Sequence, residues 1–114
     1  MSSIVLFSDH YNYYLHAGRT SMHKSFDGLC GIIQGELGRE MNVKDVFIFL
    51  NKQLTHIKIL LYEPDRYTLL YQRRHKGRFT LPVAGPEGGS IQLSATDLLS
   101  MLSGLHLHEM KKPA

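Results

Sequence analysis

The sequence predicts an α+β fold, an antiparallel β-meander of about four to five strands packed with two helices. Three short runs of β-branched and aromatic residues follow one another in the middle of the chain, joined by links too short for parallel crossovers. One segment before these runs and one after them carry apolar residues at helical spacing. The 114 residues, 43% of them hydrophobic, suffice for one core. We therefore expect residues 1–114 to form a single domain, with a flexible tail from about residue 106.

The N-terminal part predicts a strand followed by a helix. Residues 11–17 are rich in β-formers and end at Gly18, a turn signal. A helix is then expected from Thr20 or Ser21, whose side-chain oxygens can cap it, to about Gly38. Because interior glycines weaken it, burial of an apolar face must hold it. That face comprises Met22, Phe26, Leu29, Cys30, Ile33 and Leu37.

The middle and the C-terminal part predict strands and a second helix. Strands are expected over residues 46–50, 56–62 and 67–73, in hairpin order because the links are short and polar. An irregular connection around the GPEGG stretch leads to a brief strand at Ile91 and Leu93. Ser94 and Asp97 have the spacing of a capping box and predict the start of the last helix.

Composition argues against several classes of protein. Cys30 is the only cysteine, so an internal disulfide and a cysteine zinc cluster are excluded within one chain. The longest apolar runs are far shorter than the roughly 20 residues that span a bilayer, and the N-terminus lacks the pattern of a secretory signal. We expect a cytoplasmic protein with no membrane partner.

The residues also give no sign of catalysis. The seven histidines are scattered, and the closest approach to a metal motif, His106 and His108 with Glu109, follows the last helix without companion ligands. Cys30 falls on an apolar helix stripe, which favours a small buried residue over a nucleophile. No phosphate-binding or dinucleotide-binding glycine motif is present. We therefore expect no catalytic residue, no metal and no cofactor.

Positive charge is concentrated in the centre of the chain. Residues 50–80 contain seven basic and two acidic residues, a net charge of +5, whereas the rest of the chain carries −2. The stretch RRHKGRF at 73–79 joins four cations to a glycine and an aromatic residue, which suits phosphate binding and base stacking. A solvated hairpin edge is the alternative interpretation. The candidate binding residues are Lys58, Arg73, Arg74, Lys76, Gly77, Arg78 and Phe79.

Three segments of the chain resemble one family of proteins in order and spacing. They are GRTSMHKSFDGL at 18–29, residues 46–82 around RRHKGRF, and IQLSATDLLSMLSGL at 91–105. They resemble the accessory TnpB proteins of IS-sixty-six-type insertion sequences, which are unrelated to the RNA-guided nuclease of the same name. The most specific constellation in the first segment contains the family-motif residues Met22, Lys24, Asp27 and Gly28.

The resemblance implies a non-catalytic accessory role in DNA transposition, in a bacterial mobile element that encodes a separate, larger transposase. DNA, the cognate transposase and other transposon-encoded proteins are the partners it suggests. Two modes of action stay open. The basic segment either touches DNA or meets acidic groups on the transposase, as a protein-interaction adapter without DNA affinity. Contacts to phosphate release counterions and make affinity steeply salt-dependent, which distinguishes the two.

Overall fold

The computed structural model describes residue 8 and residues 10–36, 38, 40–81 and 90–103. Its strands and its second helix lie close to the predicted positions, whereas its first helix begins later than predicted. The first helix continues directly into a π-helical turn, Ile32–Glu36. The predicted connection around GPEGG and the predicted tail lie outside the described residues. In chain order the elements are β1 (Asn12–Arg19), α1 (Phe26–Gly31), β2 (Asp45–Leu50), β3 (His56–Glu63), β4 (Arg66–Arg73), β5 (Ser90–Leu93) and α2 (Ala95–Ser103).

The strands form one five-stranded mixed sheet in the order β4-β3-β2-β1-β5. The α+β class is confirmed, and β2, β3 and β4 form the predicted antiparallel meander. The arrangement is not a pure meander, because β1 pairs in parallel with β2 and antiparallel with β5. A parallel pair needs a connection of a dozen or more residues, and the segment 20–44 with α1 supplies it.

Strand alternation divides the buried side chains between two faces of the sheet. On the face that α2 covers, here called the α2 face, Leu15, Ile48 and Ile59 pack with Leu98 and Met101. The opposite face, here called the α1 face, is buried by Leu29, Ile32 and Ile33 against Tyr14, Phe47, Phe49 and Leu60. Since β2 is buried on both faces, its sequence is a continuous apolar run without alternation.

The first helix differs from the prediction at its start and along its face. It begins at Phe26, and Ser25 occupies the N-cap position without a capping hydrogen bond from its side chain. Thr20 N donates to Leu50 O, so the chain still follows the sheet there and cannot yet be helical. Phe26 is 39% exposed and lies against Tyr67, so it does not belong to the buried face.

The second helix begins as predicted. The Ser94 hydroxyl accepts a hydrogen bond from Asp97 N at 3.0 Å, and the Asp97 carboxylate accepts one from Ser94 N at 3.2 Å. These reciprocal bonds are the predicted capping box, which satisfies amide groups that a helix start leaves without partners. The acidic side chain also opposes the positive end of the helix dipole.

We predict that Ser94→Ala lowers the free energy of unfolding by about 1 kcal/mol, the usual cost of losing an N-cap side chain. Thr96→Ala is the matched control, because Thr96 is exposed within the same helix and lies outside the capping box. Urea denaturation of the three proteins measures the difference. Equal midpoints for Ser94→Ala and Thr96→Ala would show that the capping box does not stabilise the fold.

Candidate nucleic-acid interface

One end of the sheet collects exposed basic side chains. Arg19 pairs with Leu50, and Leu50 pairs with Ile57 on the next strand. His56, the residue before Ile57, pairs with Arg73, so these positions lie at the same end of the sheet. Lys52 lies in the turn after β2, and the basic turn 74–79 follows β4. We call this group the basic end. Its cationic residues are Arg19, Lys52, Arg73, Arg74, Lys76 and Arg78, and all but the half-buried Arg74 are exposed.

The opposite end of the sheet carries acidic side chains. Asp45 begins β2, Glu63 ends β3 and Asp97 lies in the first turn of α2. Asp65 forms an exposed ion pair of 2.8 Å with Arg66, whose hydrogen bonds lower the pKa of that carboxyl. The carboxylates of Asp45, Glu63, Asp65 and Asp97 outnumber the cations Lys44 and Arg66 at the same end, so the domain presents its positive potential mainly from the basic end.

The basic turn is a fixed loop. Arg74 N donates to Thr55 O at 2.8 Å and Phe79 N donates to Leu54 O at 2.7 Å, which closes both ends of the turn against the β2–β3 loop. Gly77 is exposed and has a φ of +68°, a left-handed conformation that favours glycine. The turn therefore displays Lys76 and Arg78 from a defined backbone.

Within the basic turn, two residues of the predicted binding set are less accessible than expected. Phe79 is only 2% exposed and belongs to the core of the α2 face, so its ring is not accessible for base stacking. Arg74 is partly committed to the fold. Its guanidinium donates to Lys76 O and Leu102 O at 3.0 and 3.3 Å and lies 5.6 Å from the Phe79 ring centroid. These two residues hold the turn in place.

Lys58 corrects the predicted surface patch. Its side chain is 7% exposed on the α1 face, and its ammonium donates to Met22 O and Lys24 O at 2.8 and 2.7 Å. The ammonium also lies 5.0 Å from the centroid of the Tyr71 ring. The long aliphatic stem allows this burial while the charged group reaches backbone carbonyls. Lys58 therefore fastens the segment before α1 to the sheet.

The family-motif residues surround this attachment. Met22 and Lys24 supply the two carbonyls that Lys58 binds. A Cβ at Gly28 would lie 3.1 Å from the Lys24 Cβ, so glycine lets the Lys24 side chain lie close to the helix. Asp27 is exposed in the first turn of α1, where a negative charge suits the helix dipole. The geometry gives the motif a structural role that sequence reasoning missed.

An open cleft of about 480 Å³ adjoins the basic end, lined by Arg19, Thr20, His23, Lys52 and His56 among others. It lies at the carboxyl ends of the parallel strands β1 and β2, where open sheets commonly bind ligands. Sequence reasoning did not group these residues, because their proximity depends on the parallel pairing of strands that are distant along the chain. That pairing would have been the signal needed to find them.

Asn51 orders the loop at this cleft. Its side-chain oxygen accepts hydrogen bonds from Thr55 N and His56 N at 2.9 and 3.0 Å. Its amide nitrogen lies 3.0 Å from His56 Nδ1 and 3.0 Å from the Thr55 hydroxyl. The loop that carries Lys52 is thus organised by one half-buried side-chain amide, which fixes where the Lys52 side chain leaves the backbone.

Cys30 is half-buried and lies away from the basic end, near Tyr67. Burial and the charge of Asp27 raise the pKa of its thiol, while a hydrogen bond with the Tyr67 side chain acts in the opposite direction. The proximity of the thiol and burial also raise the pKa of Tyr67. At neutral pH the thiol is therefore protonated, in contrast to the thiolate of catalytic cysteines.

We predict that Cys30 is alkylated more slowly in the folded protein than in the urea-unfolded chain at pH 8, with a pH profile shifted to higher pH. The thiolate is the reacting species, and a raised pKa reduces its population. Asp27→Asn should move the profile of the folded protein back toward lower pH, because a negative neighbour is removed. The measurement is the rate of reaction with iodoacetamide as a function of pH. Superimposable profiles of the folded and the unfolded protein would contradict the prediction.

Within the described ranges, no group of three or more His, Cys, Asp and Glu side chains is arranged to hold a metal ion. Among the same residues, neither helix has the length and apolar character needed to cross a membrane. His106, His108 and Glu109, considered above as a metal motif, lie outside the described residues.

Fold and charge together define a small α+β domain with a mixed five-stranded sheet and a basic end. The family described as IS66 Orf2 like protein matches residues 11–112, and the chain belongs to this family. The resemblance inferred from the three sequence segments is thereby confirmed, and with it an accessory role related to transposition. No curated protein and no solved structure matches the chain.

We predict that Lys58→Met lowers the free energy of unfolding by about 1–3 kcal/mol, since the carbonyls of Met22 and Lys24 lose their common donor. Methionine retains most of the side-chain volume. Lys52→Met, at an exposed position, is the control and should change stability by no more than about 0.5 kcal/mol. Chemical denaturation compares the two; equal midpoints would show that Lys58 does not fasten this segment.

Proposed function

We propose that this protein is a non-catalytic accessory factor of transposition that binds DNA through its basic end, alongside its cognate transposase and other transposon-encoded proteins. One observation carries the proposal. The exposed cations lie at one end of the sheet, in the basic turn and at Arg19 and Lys52. The carboxylates of Asp45, Glu63 and Asp97 lie at the other end. A chain with such a distribution presents an oriented positive surface to a polyanion.

The geometry supports contact with phosphate. Arg73, Lys76 and Arg78 are exposed, and among the described residues no hydrogen bond or ion pair of the protein engages their side chains. Arginine and lysine in this condition exchange water and counterions for phosphate oxygens without breaking internal bonds. Arg74 is different, because its guanidinium already serves two backbone carbonyls.

The proposed contact concerns the backbone of DNA and therefore predicts weak dependence on sequence. Phosphate contacts position a protein on DNA but carry no direct sequence information. Affinity for duplexes of unrelated sequence should be similar and should fall steeply with salt. A protein adapter would instead show little DNA affinity at any salt concentration and would bind the transposase.

We predict that the double variant Arg73→Gln/Arg78→Gln binds duplex DNA more weakly and lowers the slope of log affinity against log salt by roughly 0.9 for each phosphate that it no longer neutralises. Fluorescence anisotropy with two duplexes of unrelated sequence measures both quantities. Stability should change little, because exposed charges contribute weakly to folding.

The matched control is Lys44→Gln/Arg66→Gln, which removes the same charge from the acidic end of the sheet. It should retain the salt slope of the wild-type protein. If both doubles weaken binding equally, net charge and not the basic end determines affinity. If the wild-type protein binds no duplex at low salt but retains the transposase in a pull-down that the Arg73→Gln/Arg78→Gln variant loses, the adapter hypothesis replaces DNA binding.

A further inference from the structure

Two exposed tyrosines form an aromatic row on the α1 face of β4. Tyr67 and Tyr71 are 45% and 54% exposed. Strand alternation places them on the same face as Leu69, which packs into the core beneath α1. Single exposed apolar residues are ordinary on a protein surface, so the interest of these two rings lies in their shared face and in what surrounds them. Within the sheet, β4 is also the outermost strand on its side.

Two neighbouring side chains, His56 and Lys58, position the Tyr71 ring. The His56 ring lies 5.9 Å from it, centroid to centroid, with an angle of 27° between the planes. The Lys58 ammonium lies 5.0 Å from its centroid and is itself fixed by two backbone carbonyls. A ring positioned by such neighbours loses little conformational freedom when a ligand stacks on its open side.

The Tyr67 ring is held in a comparable way, farther from the basic end. It lies 5.4 Å from the Tyr62 ring and 6.2 Å from the Phe26 ring, centroid to centroid. Its side chain also interacts with the Cys30 thiol. The two tyrosines are four residues apart, about 13 Å along the strand. The row therefore offers two separate positions for planar groups.

The aromatic row runs directly into the basic end. Arg73 follows Tyr71 by two residues, on the same face of β4, and pairs across the sheet with His56. Aromatic rings beside a cationic track are the elements by which proteins bind single-stranded nucleic acid, where bases stack on rings and cations follow the phosphates. A duplex keeps its bases stacked on one another and offers the same protein only phosphates and groove edges.

We infer that this protein binds single-stranded DNA in preference to duplex DNA, with unpaired bases stacked on Tyr71 and Tyr67 and phosphates contacted by the basic end. The inference rests on the proposed function, to which it adds the state of the DNA that is recognised. Stacking tolerates every base, so the preference is for an unpaired strand of any sequence.

Tyrosine fluorescence reports binding without interference from tryptophan, because the chain has six tyrosines and no tryptophan, and the quenching that Tyr71→Leu loses is the part due to Tyr71. The probes are a 20-nucleotide oligodeoxythymidylate and a 20-base-pair duplex. We expect tighter binding and stronger quenching with the single strand. Tyr71→Leu should reduce single-strand affinity roughly 5- to 150-fold, the range for one base–aromatic contact, and leave duplex affinity unchanged.

Two controls accompany this variant. Tyr71→Phe keeps an aromatic ring and should retain single-strand affinity. Leu99→Ala removes an apolar side chain that is 51% exposed on α2, away from the row, and should affect neither ligand. Circular dichroism and thermal melts establish that all three variants fold like the wild-type protein.

The outcomes distinguish this inference from the proposed function. Equal affinity for both probes, or an equal loss of both in Tyr71→Leu, overturns the stacking inference and leaves DNA binding in place. Absence of binding to either probe at low salt overturns both. Tighter single-strand binding that Tyr71→Leu abolishes and Tyr71→Phe retains supports the inference.

Discussion

The parallel hydrogen bonding between β1 and β2 determines the arrangement of the rest of the structure. The register from Asn12 opposite Asp45 to Leu15 opposite Ile48 places β2 in the centre of the sheet, buried on both faces. It also requires the chain to cross the α1 face between the two strands, which is where α1 packs. The same pairing aligns the carboxyl ends of both strands, so Arg19 and Lys52 emerge beside the basic turn. Fold and candidate interface thus depend on a single pairing.

Lys58 connects that crossover to the interface. A buried ammonium is costly unless polar groups replace its water, and here two backbone carbonyls and the face of a tyrosine ring do so. Within the described residues no carboxylate forms an ion pair with Lys58, so its partners are neutral dipoles and its positive charge is not neutralised. The cation that fastens the crossover therefore also adds positive potential beneath Tyr71, next to the basic end.

The sequence predicted the local features well and the long-range ones less well. The meander strands follow from runs of β-forming residues separated by turn residues, and the capping box follows from the three-residue spacing of Ser94 and Asp97. All of these signals lie within a few residues of one another in the chain. The parallel position of β1 and the late start of α1 depend on contacts between segments far apart in the chain, as in the bond from Thr20 N to Leu50 O. For the candidate site, exposure of Arg73, Lys76 and Arg78 agrees with expectation, whereas the apolar ring of Phe79 is buried in the core of the α2 face.

Five of the seven basic residues of the central segment fall into two groups with different physical roles. Lys58 and Arg74 donate to backbone carbonyls from both sides of the sheet and so hold the segment before α1 and the basic turn in position. Arg73, Lys76 and Arg78 extend from the positions that this framework fixes. A count of charges along the sequence cannot separate the groups, because both consist of the same residue types. Of these two groups, only the second is available to a polyanion, together with the exposed Arg19 and Lys52. Arginine is also better suited than lysine to position 74, because one planar guanidinium reaches two carbonyls and packs over a ring at once.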